Sequence, residues 1–368
     1  MRGINPAYLE RLDESQRKYI LTASGKFFAD NFIFVPAEHG YVVGPTGSGK
    51  TNKNHNIANW LKNSEVILWI SASKDKDILP LFFMGLPVNI IYPTGAGVEI
   101  TYEGKPYTDN VSYTCVNYPS DVFDAIKCDH INILEVRNAF ISRAALLEWM
   151  TEFFRVLADG CRRGNLRRIY PPHYTRADTT KATIFIDESQ WLIAGTKVTN
   201  DPQRVKATLE IAGLIMEVRT YGWRFVISSQ GFTNIITIVR ENMPCVFLCA
   251  DAQVPDIPKL NYHCNPPRWL GIKPTAKFKK NEWKFISRNG KAIPDIRPMP
   301  VPLFPKDPEH RKMIERMDIR YARTFHDEQG EAEQEELFPE LGRFQTLATP
   351  PEQEDRICIS RYEVIPDE

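Results

Sequence analysis

Gly44-Pro45-Thr46-Gly47-Ser48-Gly49-Lys50-Thr51 matches G-x-x-x-x-G-K-[S/T] at every fixed position. A chance match anywhere in a chain of ordinary composition and this length arises roughly once in a hundred. The apolar run Tyr41-Val42-Val43 precedes the motif and a helical pattern from Lys50 to Lys62 follows it, the strand–loop–helix setting the motif requires. Its glycines let the backbone wrap a phosphate with the amides inward, and the helix N-terminus adds a favourable dipole. In that setting Lys50 reaches the outer phosphates and the Thr51 hydroxyl ligates Mg²⁺. Gly44 to Thr51 is therefore the expected triphosphate loop, with ATP and Mg²⁺ as the expected ligands.

On both sides of the loop, short apolar runs alternate with longer amphipathic stretches, the βαβ pattern of a mostly parallel sheet covered by helices on both faces. Strands are expected at 41–43, 66–71, 88–92, 130–136, 183–186, 223–228 and 245–249, and helices at 50–62, 120–126, 142–158 and 203–221. Residues 95–113, with Gly95-Ala96-Gly97 and Glu103-Gly104-Lys105-Pro106, suggest a hairpin-like excursion from the sheet. The fold class expected is α/β.

A hydrolytic nucleotide site needs an acid at the end of a neighbouring strand, and Thr183-Ile184-Phe185-Ile186-Asp187-Glu188 supplies two. Asp187 is placed to hold the metal shell and Glu188 to polarise the attacking water. A nucleotide kinase gains nothing from activating water, so Glu188 favours an ATPase. Trp223-Arg224-Phe225-Val226-Ile227-Ser228-Ser229-Gln230 is a third apolar strand, ending in a polar amide. Gln230 is a candidate sensor of the terminal phosphate, or simply a cap on the loop. Arg219, at the end of the preceding helix, is a candidate phosphate contact in cis or from a neighbouring subunit, although the helix dipole alone favours a cation there.

The 368 residues carry 46 basic and 46 acidic side chains, so the formal charge is zero. That excludes a wholly basic nucleic-acid coat and an acidic tail protein. No apolar run approaches the ~20 residues of a membrane helix, and the N-terminus lacks the apolar segment of a signal peptide. An intracellular, cytoplasmic protein is expected. The seven cysteines, at 115, 128, 161, 245, 249, 264 and 358, fit reduced thiols better than a disulfide framework. Cys245, Cys249, His263 and Cys264 could be imagined around zinc, but positions four apart in a strand lie too far apart for tetrahedral chelation.

The domain organisation expected is an N-terminal extension at 1–30, the nucleotide-binding domain at 31–265, a basic and aromatic then proline-rich strap at 266–305, and an acidic, partly mobile tail at 306–368. Two basic stretches are candidate contacts for nucleic-acid phosphates. One is Arg162, Arg163, Arg167, Arg168, Arg176 and Lys181; the other is Lys277, Lys279, Lys280, Lys284, Arg288 and Lys291, with Trp283 and Phe285 interleaved.

In order and spacing these elements resemble the FtsK/HerA superfamily of RecA-like DNA-pumping ATPases, over roughly 41–250. The most specific part is the block from Gln203 through Arg219-Thr220-Tyr221-Gly222 to Ser228-Ser229-Gln230. The resemblance implies a RecA-like ring, most often a hexamer, that moves double-stranded DNA at the expense of ATP, with arginines completing each site in trans. Arg219 is the first candidate for that arginine, with Arg204 and Arg224 behind it. Where the family commonly has an aspartate after the second strand, this chain has Ile70-Ser71-Ala72-Ser73-Lys74-Asp75, leaving only Asp75 or Asp77. A compact motor with small extensions is similar to the genome-packaging ATPases of icosahedral viruses with internal membranes. That likeness implies capsid or membrane-associated viral partners and a place in the host cytoplasm or at a virion vertex. The alternative is a phage or plasmid assembly or secretion protein that uses nucleotide as a switch on protein partners.

Overall fold

Tyr41 and Val43 pack into one hydrophobic cluster and Val42 into another, and all three are fully buried. A strand with both faces buried needs a layer on each side, and side-chain alternation separates the two layers. The strand is β1 (Gly40–Val43), an interior strand of a ten-stranded sheet. Its companions are β2 (Val66–Ser71), β3 (Val88–Pro93), β6 (Val111–Val116), β7 (Ile131–Glu135), β8 (Ala182–Ile186), β9 (Trp223–Ser229), β10 (Cys245–Cys249), β11 (Glu282–Ser287) and β12 (Met299–Pro300). The order is β12-β11-β10-β1-β9-β8-β2-β7-β3-β6. From β10 to β6 every pairing is parallel, and β11 and β12 add antiparallel edges.

This computed structural model describes residues 9–71, 75–140, 142–170, 180–195, 201–252, 282–287, 299–300 and 303–321. All belong to one unit, Met1–Arg323. Among the described residues the helices include α1 (Glu14–Ile20), α2 (Ala23–Phe28), α3 (Lys50–Leu61), α4 (Asp121–Ala125), α5 (Arg143–Arg163), α6 (Pro202–Val218), α7 (Thr237–Glu241) and α8 (Pro308–Glu315). One face of the sheet is covered by α5 and α6, through Phe153, Phe154, Ile211 and Ile215. The other is covered by α1 to α3, through Ile20, Phe28, Ile57 and Leu61. No helix among the described residues is long and apolar enough to cross a membrane.

The hairpin expected within 95–113 is present, and the departures from the sequence pattern are β6, residues 14–30, and Trp283 with Phe285. The excursion is a hairpin of β4 (Val98–Tyr102) and β5 (Lys105–Pro106), joined by β13 (Met317–Tyr321) as a separate three-stranded sheet. Its second arm continues into β6, which returns to the main sheet as an edge strand; Ser112, Tyr113 and Thr114 keep it partly exposed, so no apolar run marks it. Residues 14–30, expected as part of an extension, carry core aromatics: the Phe28 ring lies edge-on to Phe247, Trp283 and Phe285. Trp283 and Phe285 are buried, not interleaved on a basic surface, because antiparallel pairing of β11 with β10 turns them inward onto Phe247. Beyond them, Phe304 donates its N–H to Asn52 Oδ1 at 2.7 Å, fastening the start of residues 303–321 to α3.

Candidate active site

In a parallel sheet the C-terminal strand ends share one edge, and ligands bind in the crevice there. The loop Gly44–Thr51 follows β1, Asp187 follows β8, and Gln230 follows β9; since β9 lies between β1 and β8, the three converge. Gly49 holds φ 91° and caps α3, a left-handed position that glycine adopts without steric cost. At Gly44 an added Cβ would lie 2.7 Å from Cys249 Cβ and against Ser48 Oγ, so packing of the loop on β10 demands glycine. Lys50 is buried at 5% exposure, and its Nζ donates to the Pro45 carbonyl at 3.0 Å. One turn on, Lys53 lies over the Trp283 ring, and burial pushes its amine well below the ordinary lysine range.

Asp187 is the centre of the polar network. The Thr51 hydroxyl donates to Asp187 Oδ2 at 2.6 Å, and the Asn54 amide donates to Oδ1 at 3.2 Å. The Ser228 hydroxyl donates to the same Oδ1. Ser228 Oγ also accepts the Glu188 N–H at 3.0 Å, and the Ser228 carbonyl accepts from Ser189 Oγ at 2.8 Å. These bonds hold Glu188 at φ 49°, a left-handed conformation uncommon outside glycine and concentrated at functional sites. The Gln230 amide donates to Glu188 Oε1 at 3.3 Å. With its proton given to Asp187, Thr51 Oγ1 keeps its lone pairs for a cation. The hydroxyl and carboxylate oxygens are the hard donors Mg²⁺ takes alongside nucleotide phosphates, so this donor set fits the ion. Asn54 carries no motif signal, though spacing from Thr51 on one helix face could have indicated it; Ser228 belongs to the strand that leads to Gln230, but its bond to Asp187 depends on the adjacency of β9 and β8.

The fold is a mostly parallel α/β sheet in which the phosphate-loop motif joins β1 to α3. The arginine candidates separate on it. Arg219 lies at the opposite, N-terminal edge of the sheet, where its guanidinium is paired with Glu38 just before β1. It is thus removed from the phosphate loop of its own subunit. Arg224 is 0% exposed and bonded to Glu65 at 3.2 Å, which makes it a core residue. Arg204 lies at the nucleotide edge and donates to the Gln190 carbonyl at 3.0 Å. In the first basic stretch Arg162 is paired with Glu217 and Asp159, and Arg168 with Asp124. Arg176, Lys277, Lys279, Lys280, Arg288, Lys291, His263 and Cys264 lie outside the described residues, as do residues 72–74 after β2. Among the described residues no cluster of His, Cys, Asp and Glu could hold a metal ion unaided.

No protein-family model and no curated protein matches this sequence. Solved structures do. The genome packaging NTPase B204 from Sulfolobus turreted icosahedral virus 2, in complex with ATP-gammaS, is 12% identical over 72% of this chain and 98% of its own, with a TM-score of 0.38. EssC (ATPases 2 and 3) from Geobacillus thermodenitrificans is 9% identical over 82% of this chain and 44% of its own, at 0.39. The pCW3 conjugation coupling protein TcpA, with ATPgS, is 10% identical over 76% and 65%, at 0.35.

Proposed function

We propose that this chain is an Mg²⁺-dependent ATPase that moves double-stranded DNA as a homo-oligomeric ring, and that the DNA is a viral genome being packaged. The observation that carries the hydrolytic part is the contact of Thr51 with Asp187 beside a Glu188 held in left-handed backbone and touching Gln230. In this scheme the loop amides and Lys50 hold the triphosphate, and Asp187 orients the Thr51 hydroxyl. Mg²⁺, when bound by Thr51 with Asp187 behind it, supplies neutralisation of phosphate charge. Glu188 accepts a proton from the attacking water. Gln230 donates to the same carboxylate, so loss of the terminal phosphate is felt on β9 and, through Ser228, on the turn after β8. A ring would let Arg219 act on a neighbour's nucleotide once it leaves Glu38. Residues beyond 321 are proposed to dock on a neighbour or a capsid component.

The DNA part is supported by the sequence block from Gln203 to Gln230, whose order resembles DNA-pumping motors. It is tested by ATP turnover of the purified chain with and without duplex DNA, alongside the particle mass. The expected result is turnover accelerated by duplex DNA in a particle of several subunits. Turnover indifferent to DNA would overturn the motor reading and leave the nucleotide switch acting on protein partners.

A further inference from the structure

Helices α5 and α6 lie side by side and parallel. Arg155 pairs with Glu210 and Arg162 with Glu217, each at 2.5 Å and each across the same sequence offset of 55. Both helices therefore begin at the nucleotide edge of the sheet, beside the turn that carries Glu188. At that edge, beyond a ladder in which Glu152 and Asp159 also pair with its two arginines, lie two further cations. Arg143 donates to the Trp191 carbonyl at 3.2 Å and Arg204 to the Gln190 carbonyl at 3.0 Å. Neither guanidinium is ion-paired with a carboxylate among the described residues, and Arg204 Nε is buried without a hydrogen-bond partner. Burial, and then the charge of Arg143, hold Arg204 below the ordinary arginine range, with Asp201 offsetting this in part. A helix N-terminus is the positive end of its dipole and disfavours cations. Two arginines at two such termini are thus a local concentration of positive potential that an anion would relieve.

Resting on the DNA-motor reading above, we propose that Arg143 and Arg204 form a phosphate-binding pair that holds the backbone of nucleic acid against the turn after β8. Guanidinium forks match phosphate geometry and keep several donors free after each bonds one carbonyl. Of the basic residues expected to do this from sequence, Arg162 and Arg168 are ion-paired. The pair reaches Gln190 and Trp191, the second and third residues after Glu188, so a phosphate bound there lies within one turn of the hydrolytic carboxylate.

The test is duplex-DNA affinity of the full chain as a function of salt, for the wild type, Arg143→Ala/Arg204→Ala and Arg143→Lys/Arg204→Lys. Each lost phosphate contact lowers the slope of log affinity against log salt by about 0.9. Between 50 and 200 mM salt the wild type should therefore lose about tenfold more affinity than the alanine pair. The lysine pair should retain the wild-type slope, and all three should bind a fluorescent ATP analogue equally. A folded alanine pair with the wild-type slope overturns this proposal alone, while a wild type that binds no duplex overturns the motor reading with it. Loss of turnover without a change in slope would assign the arginines to a neighbouring copy's nucleotide and also overturn it. Should the double variant unfold, Arg143→Gln, at an exposed position, is expected to remove about one phosphate contact's worth of slope.

Discussion

Glu188→Gln should abolish ATP turnover while leaving nucleotide affinity unchanged. The substitution keeps the size of the side chain and removes the proton acceptor. The backbone that aims it is fixed by the Ser228 hydroxyl, which takes the Glu188 N–H at 3.0 Å, and does not depend on the carboxylate. General-base assistance is worth about 10² to 10⁴ in rate, or about 3–5 kcal/mol of barrier. A kcat lower by that factor, with an unchanged dissociation constant for an ATP analogue, is the expected result. Normal hydrolysis by the variant would remove Glu188 from the mechanism.

Acid should unfold the protein between about pH 6 and 4, through two histidines far apart in the fold. His39 is buried below β9, accepting the Phe225 N–H at 3.1 Å on Nδ1 and lying 3.1 Å from the Ile215 carbonyl through Nε2. Burial, followed by the Arg219 charge, pushes it down to about 3. His55, on α3, is stacked on Trp69 with Nε2 at 2.7 Å from the Asp77 carbonyl, and burial pushes it down to about 4. Both folded values lie below the ordinary 6.5, so their full contribution is present above pH 6.5. It is lost as pH falls, because the unfolded chain takes up protons that the folded one refuses. Each group costs about 1.4 kcal/mol per pH unit, so the pair removes about 5 kcal/mol between pH 7 and 4.5, as much as the whole stability of many domains. Urea unfolding at pH 7, 5.5 and 4.5 measures this directly. The expected slope approaches two protons, about 2.7 kcal/mol per pH unit, and His55→Gln should halve it; a flat profile would contradict the buried neutral state.

The Gly44–Thr51 loop, the Asp187-Glu188 strand end and the strand that leads to Gln230 are legible because each pairs an apolar run with polar residues at a fixed offset, all within a few residues. Strands β2 and β10 end where the sequence pattern puts them, at Val66–Ser71 and Cys245–Cys249. What escapes is set by strand order. Ser228 reaches Asp187 only because β9 lies beside β8, and Trp283 is core only because β11 runs antiparallel beside β10. Arg219 ends the helix before the strand that leads to Gln230, and the fold puts that position at the N-terminal edge of the sheet, paired with Glu38 and away from the phosphate loop of its own chain. Arg143 and Arg204 lie far apart in sequence and meet only because α5 and α6 are parallel.

ATP-driven movement along duplex DNA would be seen as displacement of a third strand from a triplex on linear DNA. Displacement should require ATP and Mg²⁺ and be lost in Glu188→Gln. ATP hydrolysis at full rate on that DNA with the third strand left in place would contradict such movement.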